Sequence, residues 1–210
     1  MSARDAILTA VRRNRPAGDH PLPDVPRFRL PEPDGRRAKF VANLKAMGGA
    51  VLDAAPGETL LETLGTRLRQ AGIVCSAAPE VTGERDLATV KAPADLADVD
   101  VAVVRALLGV AETGSVLFTE RELKVNTLAY LAQELVVLLD PADIVEGMQG
   151  AYDHPAFKTA AYAVFHTGPS ATGDIEGVLI HGAQGVRALT VVLQPRPLAD
   201  QGELFVTPSE

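Results

Sequence analysis

The chain has 210 residues, a length typical of one domain with an additional arm. Its hydrophobic content of 47% is that of a globular protein, and a net charge of −7 without long basic runs argues against nucleic-acid binding. The single cysteine, Cys75, excludes an internal disulfide and a self-contained iron–sulphur cluster, which typically needs about four thiolates. The sequence has neither an apolar signal core nor a run near the ~20 residues of a membrane span, so we expect a cytoplasmic protein.

The N-terminal segment predicts a helix followed by an extended arm. Residues 2–14 have the pattern of a short amphipathic helix that Ser2 can cap, with an apolar stripe of Ala6, Ile7, Ala10 and Val11. Six prolines between residues 16 and 33 exclude a helix there. We expect this arm to pack on the domain or on a partner subunit, with Phe28 and Leu30 as anchors.

The remaining chain alternates between helical and strand patterns. The predicted helices cover residues 36–47, 56–71, 123–131, 142–149 and 155–160, and the predicted strands cover 50–52, 73–75, 100–104, 115–119, 134–139, 161–165 and 189–193. Such alternation predicts an α/β fold with a mainly parallel sheet flanked by helices. We therefore divide the chain into a helix and proline-rich arm (1–35), an α/β domain (36–197) and a C-terminal tail (198–210).

Two polar loops, at residues 111–115 and 166–176, each follow an apolar segment with a strand pattern. Both contain small hydroxyl residues, glycine and carboxylates, which suggests one cleft built from two strand ends. Ser170 or Thr172 could cap a helix after the second loop, with free backbone N–H groups facing an anion. Spacing alone favours an ordinary capped turn over an anion site, because hydroxyl-rich turns are common and this second loop has no Walker or GxGxxG pattern.

Three blocks resemble the signature of the LUD domain: Ala111-Glu112-Thr113-Gly114-Ser115, Thr167-Gly168-Pro169-Ser170-Ala171-Thr172-Gly173-Asp174-Ile175-Glu176 and Gly182-Ala183-Gln184-Gly185. Their order and spacing match over roughly residues 36 to 195, and the layout is most similar to the lactate utilization protein C type. The resemblance implies a fold like that of the NagB/RpiA/CoA transferase superfamily and a role in oxidising lactate to pyruvate beside iron–sulphur partner proteins. One departure is Gln184, which stands near a position where many members have histidine.

Glu112 is the candidate catalytic residue. Its Glu-Thr-Gly context is similar to the element in which CoA transferases carry a nucleophilic glutamate, and such a group needs a close approach and backbone donors for an oxyanion. Gly114 could permit that approach. Two alternatives stay open: Glu112 could fix its loop by accepting hydrogen bonds, or it could bind a ligand without catalysis.

The candidate ligand-binding residues are Thr113, Gly114, Lys124, Thr167, Gly168, Ser170, Thr172, Asp174 and Glu176. On a helix, Asp174 and Glu176 would lie on different faces, so we expect one to face the cleft and the other to cap or to pair with a cation. An anion site needs a cation, and Lys124 and Arg121 follow the Glu112 element directly. The histidines lack metal-ligand spacing, and His166 is interpreted as a structural group.

The sequence supports three functions. The first is a subunit or accessory protein of an iron–sulphur-dependent L-lactate oxidation system, which binds a small anionic ligand or its partners and holds no cofactor itself. The second is a stand-alone enzyme of CoA- or acyl-transfer type that uses Glu112. The third is a non-catalytic interaction protein whose proline-rich arm binds a partner. A homodimer is compatible with all three.

Overall fold

The computed structural model describes residues 2–21, 23–26 and 35–197. The predicted anchors Phe28 and Leu30 and the predicted C-terminal tail lie outside these residues. The predicted N-terminal helix is confirmed as α1 (Ala3–Arg13). It begins with a capping box, in which the Ser2 hydroxyl accepts a hydrogen bond from the Asp5 N–H and the Asp5 carboxylate accepts one from the Ser2 N–H.

Short helices and strands alternate through the rest of the described chain. The helices are α2 (Arg36–Ala46), α3 (Leu60–Leu68), α4 (Glu120–Leu123), α5 (Leu128–Leu131), α6 (Met148–Tyr152) and α7 (Ala156–Thr159). The strands are β1 (Ala50–Val51), β2 (Val74–Ser76), β3 (Val101–Arg105), β4 (Leu108–Val110), β5 (Ser115–Thr119), β6 (Glu134–Leu139), β7 (Ile144–Val145), β8 (Ala163–His166), β9 (Ala171–Thr172), β10 (Ile180–His181) and β11 (Ala188–Leu193). Among these described helices, none has the length and apolar character needed to cross a membrane.

A five-stranded parallel sheet forms the centre of the domain, which confirms the predicted α/β class. Its strand order is β1-β11-β6-β3-β2. Alternate side chains of β3 and β6 enter two hydrophobic clusters: Val103 and Val136 pack with Leu64 of α3, whereas Val104 and Val137 pack with residues of α2. A sheet covered on both faces needs the nearly continuous apolar strands that the sequence shows at these positions.

A second sheet of four strands, in the order β7-β4-β5-β8, was not predicted from the sequence. Strand β5 pairs antiparallel with β4 and β8, and β4 pairs parallel with β7. Phe118 of β5 packs into the same cluster as Phe40 of α2, while Leu117 faces the other way, towards Phe157 and Phe165. Strand β8 lies at the edge of this sheet and is half-buried.

Three predicted helices need correction. The helix predicted over 123–131 is interrupted, because Lys124 adopts a left-handed φ of 60° and closes α4 before α5 begins. The segment predicted as helix over 142–149 contains a 3₁₀ turn (Pro141–Asp143), strand β7 and only the first part of α6. Helix α3 begins at Leu60, later than predicted, where Thr59 forms a capping box with Glu62.

The C-terminal end of α2 packs directly against both polar loops. Gly114 has a φ of 69°, and a Cβ atom there would lie 2.2 Å from the backbone N of Leu44. Gly168 has a φ of 66°, and its Cβ atom would lie 2.2 Å from the carbonyl oxygen of Met47. Only glycine allows both the left-handed backbone and this close approach, so α2 fixes the positions of the two loops relative to each other.

We expect Gly114→Ala and Gly168→Ala each to lower the free energy of unfolding by about 2–5 kcal/mol. A left-handed non-glycine residue costs roughly 1–2 kcal/mol, and displacing the packed α2 backbone adds roughly 1–3 kcal/mol. Gly177→Ala is the matched control, because Gly177 has a φ of 70° but a Cβ atom added there would meet no atom within 4 Å. Urea unfolding of the three variants measures the difference, and equal losses would contradict the role assigned to α2.

Candidate functional site

A row of three hydroxyl groups joins the two polar loops. The Ser115 Oγ atom lies 2.7 Å from the Thr113 Oγ1 atom, and it is also hydrogen-bonded to the Thr167 Oγ1 atom. Ser115 is buried at the start of β5, directly beside the end of β8. The structure therefore brings together Thr113 and Thr167, two of the predicted ligand-binding residues, through a hydroxyl that was not among them.

Beyond Thr167 the chain lines an open pocket of about 320 Å³. Its walls are the end of β8, the loop that follows it, helix α5 and the segment before β11. The polar side chains on these walls are Tyr130, His166, Thr167, Ser170 and Gln184. Backbone hydrogen bonds join the segments around Ser170, from the Ser170 N–H to the Val186 carbonyl (2.9 Å) and from the Gly182 N–H to the Ser170 carbonyl (2.7 Å).

His166 lines this pocket and has a buried ring nitrogen without a hydrogen-bond partner among the described residues. Burial lowers the pKa of His166 to about 4, so the imidazole is uncharged at neutral pH. Its Nε2 atom is buried and has no hydrogen-bond partner among the described residues, and its ring contacts Phe118 and Tyr130 at centroid distances of 5.6 and 5.1 Å. A buried polar nitrogen without a partner is costly, which marks this position as one where a ligand could complete the hydrogen bonding.

Tyr130 extends the pocket's polar groups towards β8. Its hydroxyl group is hydrogen-bonded to that of Tyr162. Burial, together with this hydrogen bond, raises the pKa of Tyr130 above its ordinary value. One phenolic hydroxyl therefore donates to the other. The lining of the pocket, as far as the structure describes it, includes no Asp, Glu, Lys or Arg.

Glu112 is an exposed residue of the first polar loop. Its Oε2 atom accepts a hydrogen bond of 2.9 Å from the N–H of Met148, the first residue of α6. Its own N–H donates to the Glu146 carbonyl at 3.0 Å. This arrangement matches the loop-fixing alternative, and the pocket wall does not include Glu112.

The segment after Ser170 is a β-hairpin and not the predicted capped helix. Strands β9 and β10 pair antiparallel, so Thr172 caps no helix and instead exchanges hydrogen bonds of 3.3 Å with Asp174. Glu176 occupies the turn with a φ of 54°. Within the described chain, neither carboxylate lines the pocket or pairs with a cation, and the predicted cation Lys124 is an exposed residue outside the pocket.

Comparison with known proteins assigns the family. The LUD domain matches residues 37–194 of this chain. The chain belongs to the LUD domain family. A similar solved structure is that of a DUF162 family protein from Deinococcus radiodurans, with a TM-score of 0.56 and 14% sequence identity over 76% of this chain and 96% of that one. At that identity the likeness shows the fold alone. A search of curated proteins found no match to this chain.

Sequence reasoning missed several polar residues that shape the site of this LUD domain. Ser115 and His166 stand inside or beside the recognised blocks but were not predicted to bind a ligand. Tyr130 lies in none of the recognised motifs, and its place in the site is evident only from its ring contact with His166. Gln184 had a visible signal, since it departs from the family pattern and lines the pocket.

Asn43 ties the LUD domain's first loop to α2, because its Nδ2 group donates hydrogen bonds of 2.8 Å to the carbonyls of Ala111 and Glu112. We expect Asn43→Ala to lower the free energy of unfolding by about 1–3 kcal/mol. Asn43→Asp should cost more, since the carboxylate cannot donate and places a charge beside two carbonyl oxygens. Urea unfolding tests this order, which would be contradicted if the aspartate variant lost no more free energy of unfolding than the alanine variant.

His166 gives the LUD domain a pH-dependent stability. The folded pKa of about 4 lies below the unfolded value near 6.5, so the unfolded state binds the proton first. The stabilisation is complete above about pH 6.5 and is lost progressively as the pH falls to about 4, by up to about 3 kcal/mol.

The variant His166→Phe isolates this effect. Burial also lowers the pKa of His154, so part of the wild-type pH dependence has another origin. Urea unfolding at several pH values between about 7 and about 4 should show a shallower loss in His166→Phe than in the wild type. Identical slopes would show that the pKa of His166 is not depressed.

Proposed function

We propose that this chain is an accessory subunit of a cytoplasmic L-lactate-oxidising system, of the lactate utilization protein C type, and that it binds a small monocarboxylate in the pocket beside His166. The family to which the chain belongs is linked to lactate utilization. The observation that carries the ligand-binding part is the convergence of neutral hydrogen-bonding groups on a pocket with one unpartnered buried nitrogen. Redox clusters would reside on iron–sulphur partner proteins, because the chain's single cysteine is buried in the core.

The uncharged pocket favours a singly charged ligand over a phosphate. Hydroxyl groups such as those of Thr167 and Ser170 can donate to a carboxylate, and hydrogen bonds to a charged group are stronger than those between neutral groups. A phosphate group or the multiple phosphates of CoA would bring two or more charges to described walls without a cation, which is costly. Lactate and pyruvate therefore suit the pocket better than CoA or a sugar phosphate.

The geometry gives less support to an acyl-transfer enzyme. A nucleophilic carboxylate reacts best in a water-poor cavity, whereas Glu112 is exposed and caps α6. Glu112→Gln keeps an oxygen acceptor for the Met148 N–H, so we expect stability and lactate-linked function to be retained. Glu112→Ala should lose about 1 kcal/mol of stability with its capping bond. Loss of function in Glu112→Gln with unchanged stability would instead indicate chemistry at this carboxylate.

Thermal unfolding with single added ligands tests the pocket. A ligand at about a hundred times its dissociation constant stabilises the folded state by about 2.7 kcal/mol, which raises Tm by several degrees. We expect this shift with L-lactate or pyruvate, and we expect its loss in a variant that combines Thr167→Val with Ser170→Ala. The control Thr172→Val removes a hydroxyl outside the pocket and should keep the shift. A shift with CoA alone, or one that survives the double substitution, would contradict the proposed site.

The assembly itself is tested separately with purified iron–sulphur proteins of a lactate-oxidising system. Lactate-dependent reduction of a dye is measured with and without this chain. The proposal predicts that the rate rises when the chain is added and that the Thr167→Val, Ser170→Ala variant supports it less. An unchanged rate in the presence of bound chain would contradict a role in lactate oxidation.

A further inference from the structure

The β9–β10 hairpin exposes an acidic, apolar surface. Ile175, Val178 and Leu179 are 52%, 59% and 63% exposed. Asp174 and Glu176 flank Ile175 on the same turn. Clustered exposed large apolar side chains on a globular domain commonly mark an interaction surface.

Helix α1 offers a surface of matching size and opposite charge. At 3.6 residues per turn, one face carries Ile7, Leu8 and Val11, with Arg4 before them and Arg15 just beyond the helix end. Ile7 and Val11 are each 63% exposed, and α1 has no buried residue in the described structure. Leu8 is half-buried, so the apolar face of α1 is only partly covered, and an amphipathic helix gains most of its stability from packing that face.

We propose that α1 of one copy docks on the β9–β10 hairpin of a second copy of this chain, with its apolar stripe against Ile175, Val178 and Leu179. Charge complementarity, together with the exchange that the connecting segment permits, favours a second copy as the occupant. Residues 2–15 contain four arginines and one aspartate, whereas the whole chain carries a net charge of −7. The helix is therefore attracted to this chain's own acidic surface, and the guanidinium groups at both ends of its stripe can reach the hairpin carboxylates.

The connection to the domain permits a reciprocal exchange. About 22 residues separate α1 from α2, and such a segment can span up to roughly 70 Å when extended. If α1 of each copy binds to the hairpin of the other copy, the same contact occurs twice around a twofold axis. The assembly then closes as a dimer. This inference goes beyond the proposed function and does not depend on what the pocket binds.

Sedimentation velocity of the full-length chain over a range of concentrations tests the dimer. Ile7→Glu with Val11→Glu should raise the dimer dissociation constant by about a hundredfold, because two apolar side chains leave the contact. Arg4→Glu with Arg15→Glu should raise it roughly tenfold at low salt. Combining that change with Asp174→Arg and Glu176→Arg should restore association.

The matched control is Arg12→Glu with Arg13→Glu, which alters the net charge equally on other faces of α1 and should weaken the dimer much less. These positions are exposed, so circular dichroism should show an unchanged fold in every variant. A chain that is monomeric at all concentrations would overturn the proposal. So would a dimer that survives the Ile7 and Val11 substitutions, or a charge reversal that the hairpin substitutions do not rescue.

Discussion

The close packing of two loops on the C-terminal end of α2 is the constraint on which the site depends. Gly114 and Gly168 leave no room for a Cβ atom against the backbone of Leu44 and Met47, and Asn43 holds the first loop by two hydrogen bonds. The loops belong to segments far apart in the chain, and their contacts with this helix add to the β5–β8 pairing that holds them together. The pairing of β5 with β8 then places Ser115 beside Thr167, where the hydroxyl row forms.

The pocket beside this row offers hydrogen-bonding groups, and none of the described residues that line it is Asp, Glu, Lys or Arg. The imidazole of His166 stays neutral because burial depresses its pKa, and burial raises the pKa of Tyr130 further above neutral pH. A site of this kind discriminates between ligands through the number and direction of their hydrogen bonds, with a low tolerance for multiple charges. The carboxylates of the recognised blocks lie elsewhere, with Glu112 at the start of α6 and Asp174 and Glu176 on the hairpin.

The sequence predicted the central sheet well, because β3, β6 and β11 are continuous apolar runs that have no other stable environment. It predicted α1 through a local capping pattern. It failed where the structure depends on distant contacts or on turn geometry: the Thr and Asp residues after Ser170 are as typical of a helix cap as of a hairpin turn. The pocket could be predicted only in part, since Thr167 and Ser170 stand in a recognisable block while Tyr130 reaches His166 only through the fold.

The most direct test of the pocket is a nitrogen NMR titration of the uniformly labelled protein with L-lactate, in which the ring signals of the four histidines are followed. His166 is assigned by its loss in His166→Phe. Binding in the pocket predicts that the His166 Nε2 signal moves to saturation while His20 and His181 stay unchanged. Saturable binding that leaves the His166 signal in place would show that the ligand site lies elsewhere in the domain.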